Sequence, residues 1–133
     1  MKQQGFHLIE LLIVLSIVGI LLAYALPNYN AHLTHTRRLI AETALMKLAS
    51  YMEAYFAKYN TYEGANMARF KIPEFIANNH YQLVIQAATV SQFTLAAIPQ
   101  ENQAPYDTRC GSLWLNSQGE KGMSGNGVLS ECW

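Results

Sequence analysis

The stretch that decides the fold is MKQQGFHLIELLIVLSIVGILLAYALP, residues 1–27. A short polar leader ends at Gly5, and an apolar run follows from Phe6 to Leu26. A helix rises about 1.5 Å per residue, so this run is roughly 30 Å long, the thickness of the hydrocarbon core of a bilayer. The run therefore predicts a membrane-spanning helix, and Lys2 in front of it favours a cytoplasmic N-terminus.

The leader differs from an ordinary secretory signal in where its small residue lies. A secretory signal is cut after its apolar region, following small residues, whereas Gly5 precedes the apolar run. Cleavage between Gly5 and Phe6 would remove residues 1–5 of the 133 and leave 128. The apolar helix would then stay on the mature protein and begin at its new N-terminus.

Glu10 is the anomaly of the apolar run, whose other ionisable residue is His7. A carboxylate in apolar surroundings costs a few kcal/mol and usually has a specific partner. The interpretation we favour pairs Glu10 with the amine that cleavage creates on Phe6 of a neighbouring subunit. In the alternative, Glu10 lies at the membrane edge and extends to the headgroups.

The stretch GFHLIELLIV, residues 5–14, resembles the signal of type IV prepilins and the related pseudopilins. In that family a membrane aspartyl peptidase cuts after the glycine and methylates the new N-terminal phenylalanine. The resemblance implies cleavage at Gly5–Phe6, an N-methyl group on Phe6, and an assembly role for Glu10, which pairs with the N-terminus of a neighbour. His7 departs from the family's commonest residue, threonine, at a position that tolerates variation.

The resemblance also implies partners and a location. Gly19 and Pro27 stand where the family has a helix-loosening glycine and a kinking proline, and we include both among the assembly residues. The expected partners are other pilin subunits, the prepilin peptidase/N-methyltransferase and the assembly platform of the inner membrane. The protein is expected in the inner membrane before assembly and in a surface pilus afterwards.

The chain beyond Pro27 predicts one small domain, residues 28–133, after a leader (1–5) and a transmembrane or filament-core helix (6–27). About 100 residues are enough for one core. This part carries eight basic and eight acidic residues, so no strongly basic surface is evident. Its first segment continues as a helix to about Tyr59, because apolar residues recur every three or four positions: Leu45, Leu48, Met52, Tyr55 and Tyr59.

A helix from Phe6 to about Tyr59 would be roughly 80 Å long. A domain of this size cannot bury such a rod, so its first half requires a bilayer or other copies. The row that contains Met52, Tyr55 and Tyr59 is interpreted as core and not as a cofactor site. Pro27 is expected to kink the helix without ending it.

Strands are predicted after a loop that covers residues 60–80. Apolar residues alternate with polar ones from Tyr81 to Ala87 and from Phe93 to Ala97, with a turn near Thr89 between them. A third strand is Leu113–Leu115, and a short fourth one is expected at Lys121–Met123. The predicted fold class is therefore α+β, a long N-terminal helix with an antiparallel sheet packed on its amphipathic half.

The C-terminal segment predicts a disulfide between Cys110 and Cys132, the two cysteines of the chain, because both would lie outside the cytoplasm. Two free thiols are the less favoured alternative. The C-terminal segment resembles that of PilE-like minor pilins in its stretch CGSLWLN, which begins at Cys110, and in its final Cys132–Trp133. In those proteins this disulfide holds the last segment on the sheet. The glycines inside the disulfide are expected to form an exposed, mobile loop: Gly122, Gly125 and Gly127.

Catalysis and cofactors are not predicted. His32 and His35 are three residues apart on the helix, but no cysteine or carboxylate joins them at ligand spacing, so a metal site is not favoured. Ser16 and Ser112 have no base in a known arrangement, and no phosphate-binding glycine loop occurs. The expectation is a protein without cofactor or metal that is a substrate of the peptidase and not an enzyme.

Three functions share these features. The leading one is a structural subunit of a type IV pilus, most like a minor pilin, in a system for twitching motility, adhesion or DNA uptake. The second is a pseudopilin of a type II secretion system, which the disulfide-closed tail argues against. The third is a minor pilin that captures DNA during transformation.

DNA capture requires basic residues that converge. The candidate contacts are Arg69 and Lys71 in the loop and Arg109 and Lys121 near the tail. Acidic residues are interleaved with them, so ordinary solvated surface charge is the favoured interpretation: Glu63, Glu74, Asp107 and Glu120.

Overall fold

The computed structural model describes residues 7–133. The expected cleavage site, Gly5–Phe6, lies outside the described residues. The chain divides into two compact units, residues 1–33 and 34–133, and the boundary falls inside the first helix. Each unit is described by itself below.

The first helix, α1, runs from Leu8 to Tyr59. Pro27 lies inside it, so the prediction that this proline does not end the helix is confirmed. Among the described residues, the buried ones begin at Thr34, and none of the apolar side chains of the first unit is buried by its own chain. The first part of α1 therefore has the length and composition to cross a membrane.

The second unit contains the sheet. After α1 the elements are α2 (Met67–Phe70), β1 (Phe75–Ile76), β2 (Tyr81–Ala88), β3 (Phe93–Pro99), a 3₁₀ helix (Ala104–Tyr106), β4 (Leu113–Asn116), β5 (Lys121–Met123) and α3 (Leu129–Cys132). The five strands are antiparallel and follow the sheet in chain order, each paired with its neighbour in sequence. The α+β class and the four expected strands are confirmed.

The core lies between one face of α1 and the sheet. Apolar side chains on α1 meet those that point inward from β2, β3 and β4, and the fully buried members include Leu45, Leu48, Met52, Leu83, Leu95 and Leu113. The three- and four-residue spacing on α1 and the alternation on the strands place these residues on facing surfaces. Tyr59 departs from the expected core, because its side chain is 46% exposed.

Two short elements lie in the segment that was predicted as a loop. Asn66 caps α2, since its side-chain oxygen accepts a hydrogen bond from the backbone N–H of Arg69 (2.8 Å). Strand β1 pairs with the start of β2. A four-residue helix and a two-residue strand are too short to produce a periodic sequence pattern, which explains why both were missed.

The Cys110–Cys132 disulfide is present. The expectation of an exposed loop inside it is wrong for Gly122, which lies buried in β5, where a Cβ would overlap the indole ring of Trp114. Gly125 and Gly127 also donate backbone hydrogen bonds, to the carbonyls of Cys110 and Arg109. The tail therefore packs on the sheet and on the segment before β4.

Candidate functional site

The start of α1 positions Glu10. The Glu10 carboxylate accepts a hydrogen bond from the backbone N–H of His7 at 3.1 Å, and the Glu10 N–H donates to the His7 carbonyl at 3.0 Å. Glu10 is the third residue of the helix, so it caps one of the N–H groups that a helix start leaves unpaired. Within the single chain, this cap is the contact that the structure gives the carboxylate.

Other residues of the first unit carry features that suit apolar surroundings. The Ser16 hydroxyl donates to the Leu12 carbonyl at 2.7 Å, so its polar group is satisfied inside the helix. Gly19 has no atom within 4 Å of the position a Cβ would take, which leaves a small notch on the helix surface. Such a notch allows close approach of a neighbouring helix.

A buried polar cluster ties α1 to the segment before β4. The Asp107 side chain is 1% exposed and accepts hydrogen bonds from the Arg38 guanidinium (Nε, 3.1 Å) and the Tyr81 hydroxyl. The Gln103 amide nitrogen donates to the Thr34 carbonyl at 3.1 Å. Burial, with the hydrogen bond to Asp107 next in importance, raises the pKa of Tyr81 well above its usual value, so this phenol remains a donor.

Sequence reasoning placed Asp107 among the surface acids and did not identify this cluster. The two charged partners are 69 residues apart, and no local pattern marks a charge as buried. The sequence gives one weak indication that Asp107 is buried, because this residue directly follows a proline-containing turn and lies shortly before Cys110.

The disulfide region is held by further polar contacts. The Trp133 indole N–H donates to the Gly122 carbonyl at 2.9 Å, and the Lys121 ammonium lies 4.8 Å from the centre of the Trp133 ring. Arg38 also donates to the carbonyl of Glu131 at 3.3 Å. The tail is therefore attached to α1 and β5 by contacts that do not depend on the disulfide.

The described contacts of the candidate DNA residues lie at different places in the second unit. Arg69 packs on Tyr55 and Tyr59 near the end of α1. Arg109 forms an exposed ion pair with Glu131 at 2.7 Å. Lys121 packs on Trp133 and acts electrostatically on Glu42.

The stretch of α1 between Glu42 and Tyr55 rises about 20 Å, so Lys121 and Arg69 are not neighbours. This separation exceeds the screening length in physiological salt, about 8 Å. The charge of Arg69 is therefore screened from that of Lys121.

Glu42 is the acidic residue of α1 closest to the tail cations. Partial burial raises its pKa above the ordinary value, and the positive charges of Arg38 and Lys121 oppose this shift. Within residues 7–133, no group of three or more histidine, cysteine or acidic side chains is arranged to hold a metal ion.

Comparison with known proteins identifies the family. Residues 27–114 match the family model described as "Type IV minor pilin ComP, DNA uptake sequence receptor", which covers more than half of the chain. The chain belongs to this family of type IV minor pilins. Residues 1–26 match the prokaryotic N-terminal methylation motif.

Individual pilins show how far the likeness extends. The chain is 35% identical over 88 residues to the type IV major pilin protein PilA of Myxococcus xanthus, an alignment that covers 65% of this chain and 39% of PilA. It is 49% identical over 49 residues to fimbrial protein Q of Moraxella bovis, covering 35% of this chain and 31% of that protein. The chain thus spans less than half the length of these relatives.

Solved structures share the pilin fold with this chain. The non-core minor pilin PilV of Neisseria meningitidis superposes with a TM-score of 0.60 at 24% identity, covering 74% of this chain and 95% of PilV. A type IV pilin of Shewanella oneidensis superposes with a TM-score of 0.51 at 22% identity, covering 75% and 97% of the two chains.

Proposed function

We propose that this type IV minor pilin is a structural subunit of a type IV pilus. The observation that carries the proposal is the first part of α1, whose apolar side chains are exposed in the single chain while the second unit holds a complete core. Apolar surface on this scale requires another environment. A bilayer supplies it before assembly, and the helices of other pilin subunits supply it in the filament.

The proposal divides the chain into three segments with different fates. A prepilin peptidase cuts after Gly5, removes residues 1–5 and methylates Phe6. Residues 6–27 anchor the subunit in the inner membrane with a cytoplasmic N-terminus, and the assembly platform then transfers them to the filament core. Residues 28–133 form the extracellular domain, and the protein has a structural role without catalysis.

In the filament, Glu10 acts as the pairing group. Its hydrogen bond to its own helix start uses one carboxylate oxygen, so the other oxygen is left to accept from the N-terminal amine of a neighbour. Gly19 permits close helix approach, and Pro27 removes one backbone hydrogen bond, which eases bending during the transfer.

Replacement of Glu10 tests the assembly role. Glu10→Ala is expected to leave cleavage and methylation intact and to lower the amount of this subunit in sheared surface fibres by about tenfold or more, as loss of a charge pair in apolar surroundings implies. Mass spectrometry of the fibres measures the abundance of the subunit, its N-methyl-Phe6 terminus and its partners.

The matched control is Ser16→Ala, which removes a polar group from the same segment whose hydrogen bond lies within the helix. Wild-type incorporation of the Glu10 variant would overturn the pairing role. Co-purification with a secretion platform, and not with pilus components, would favour a type II pseudopilin.

DNA capture is a second candidate function, and the match to a family described as a DNA uptake sequence receptor favours it. Asp107 is buried against Arg38, so it does not offset the surface cations as the sequence implied. Glu131, in contrast, partly neutralises Arg109.

A gel-shift titration of residues 28–133 with duplex DNA at low and at physiological salt tests this candidate. Binding should weaken as salt rises, because phosphate contacts release counterions. Arg69→Ala should weaken binding more than Arg109→Ala, since Arg109 is already paired. DNA capture through these residues would be contradicted if the two variants bound DNA equally well. It would also be contradicted if binding did not change with salt concentration.

A further inference from the structure

The outer edge of strand β2 is only partly paired. Strand β1 covers Tyr81 and Gln82, and the Leu83 N–H donates to the Glu74 carbonyl at 2.7 Å. Beyond this point β2 pairs with β3 on one side, and within residues 7–133 no strand pairs with its other side as far as Ala88. Such an edge presents backbone donors and acceptors to whatever lies beside it.

Ile85 directs its backbone toward this unpaired edge. The N–H and C=O groups of successive residues in a strand point to opposite sides, and the Leu83 N–H points outward because it bonds to Glu74. Ile85 is two residues further along β2, so its N–H and C=O point outward as well.

A slot lies along the unpaired edge. Its volume is about 540 Å³, and it is lined by residues 83–88 of β2, by residues 64–67 and by Glu74. We call this space the β2 slot. Six residues of strand extend over about 20 Å, which is enough to pair with a short extended peptide.

The wall opposite β2 is held in place by its own contacts. The Tyr62 N–H donates to the Thr89 carbonyl at 3.1 Å, and the Ala65 N–H donates to the Tyr62 carbonyl at 3.1 Å. Ala65 and Met67 also pack against the core. The slot is therefore formed before a ligand arrives, which lowers the ordering cost of binding.

The β2 slot favours a single added strand over the sheet edge of a second copy. Residues 64–67 form its far wall, so a whole sheet would have to displace them. The register between β2 and β3 also shifts between Ile85 and Ala87, where Gln86 is an extra residue. A bulge of this kind twists the edge and disfavours long, flat pairing between two sheets.

Glu74 is the ionisable side chain of the slot lining. The Gln82 amide donates to its Oε1 atom, and the other carboxylate oxygen is able to accept from a ligand. The ion pairs found in residues 7–133 use other acidic residues. A basic side chain on the ligand would therefore complement the charge at this end of the slot.

We propose that the β2 slot binds an extended peptide segment of a partner protein, about five residues long, with a lysine or arginine beside Glu74. The peptide adds a strand to the sheet, and its backbone pairs with the outward N–H and C=O groups of β2, including those of Ile85. Main-chain hydrogen bonds supply affinity in this mode of binding, and side-chain contacts with Met67 and Glu74 supply selectivity. This activity goes beyond the pilus role and does not depend on it.

The first experiment selects ligands from a library of random heptapeptides displayed on phage, with the full chain immobilised in detergent. The selected peptides should alternate β-branched or aromatic residues with others, because these residues favour the strand conformation. They should also carry a lysine or arginine near one end. One selected peptide is then synthesised with a fluorescent label, and its anisotropy with the full chain in detergent measures the Kd.

Methylation of the peptide N–H groups tests the main-chain pairing without any change in the protein. In an added strand, every second N–H faces β2 and the others face away. Methyl groups on one alternating set should weaken binding about tenfold or more, since two or three hydrogen bonds are lost. Methyl groups on the other set should weaken binding less than about twofold, because those N–H groups do not face β2.

Variants of the protein test the same contacts from the other side. Ile85→Pro removes an outward N–H at an edge position and should weaken binding about fivefold or more. The matched control is Ile85→Ala, which shortens the same side chain but keeps the N–H, so binding should be stronger than with Ile85→Pro. Glu74→Gln should weaken binding about two- to threefold, and only for peptides that carry a basic residue.

Three results would each overturn the proposal. They are a library that yields no enriched peptide, equal weakening by the two sets of methyl groups, and equal affinity of the selected peptide for Ile85→Pro and Ile85→Ala. If Ile85→Pro does not fold, the methylated peptides decide. None of these results bears on the pilus role, which depends on incorporation into fibres.

Discussion

The buried Arg38–Asp107 pair is the single-residue feature with the largest expected effect on stability. Both charges are taken from water, and each is compensated by the other and by hydrogen bonds from Tyr81 and to the Glu131 carbonyl. Removal of one partner leaves an unpaired charge inside the domain. Such a loss usually costs far more than the net contribution of the intact pair.

Arg38→Ala is therefore expected to lower the free energy of unfolding of residues 28–133 by about 3–5 kcal/mol. The comparison is Arg109→Ala, which breaks the exposed pair with Glu131 and should cost less than about 1 kcal/mol. Urea unfolding of both variants measures the difference. Similar losses for the two would show that the buried pair is not the stronger contact.

Residue burial is also where prediction from the sequence failed. Charge pattern alone treated Asp107 as one of several surface acids, because its partner is 69 residues away. Tyr59 was assigned to the core for a related reason. Residues four apart are displaced by about 40° around a helix with 3.6 residues per turn, so Tyr59 lies beyond the face on which Tyr55 is buried and its side chain is exposed.

At the level of elements, prediction succeeded where a pattern is repeated. The helix to Tyr59 and the strands β2 and β3 have enough residues for their period to be read. The short α2 and β1 do not, and a bulge between Ile85 and Ala87 also interrupts the alternation of β2. The four candidate DNA residues are exposed, but no sequence pattern could show that Arg69 lies near Tyr55 whereas Lys121 lies near Glu42.

The C-terminal elements are expected to remain docked without their disulfide. Cys110→Ser/Cys132→Ser should lower the free energy of unfolding by about 3 kcal/mol in the chain-entropy model, for a separation of 22 residues. The hydrogen bond from Trp133 to Gly122 and that from Arg38 to Glu131 still attach the tail. Tryptophan fluorescence in the absence of urea should therefore match that of the wild type, while the urea midpoint falls.

Reduced wild type is the control for this double variant and should behave in the same way. A red-shifted tryptophan emission before any urea is added would show that the disulfide alone holds the tail.

At the scale of the whole molecule, the two units are built for different solvents. The first exposes a continuous apolar surface, and the second buries its apolar residues and carries the charged and polar ones on its surface. This difference in exposure follows from composition, because the stretch from Leu8 to Leu26 is almost entirely apolar. The same physics explains how one chain can be stored in a membrane and later join a filament through the same helix.

Residues 28–133 are accordingly expected to fold without the apolar segment. Every buried residue of the described chain lies at or after Thr34, so the truncation removes no core contact. The fragment should be a soluble monomer by size-exclusion chromatography, and its urea midpoint should match that of the second unit in the detergent-solubilised full chain. The double variant Cys110→Ser/Cys132→Ser should lower the urea midpoint of the fragment and that of the full chain by the same amount, since both contain the same core. A fragment that aggregates or unfolds without denaturant would mean that the first unit contributes to the fold of the second.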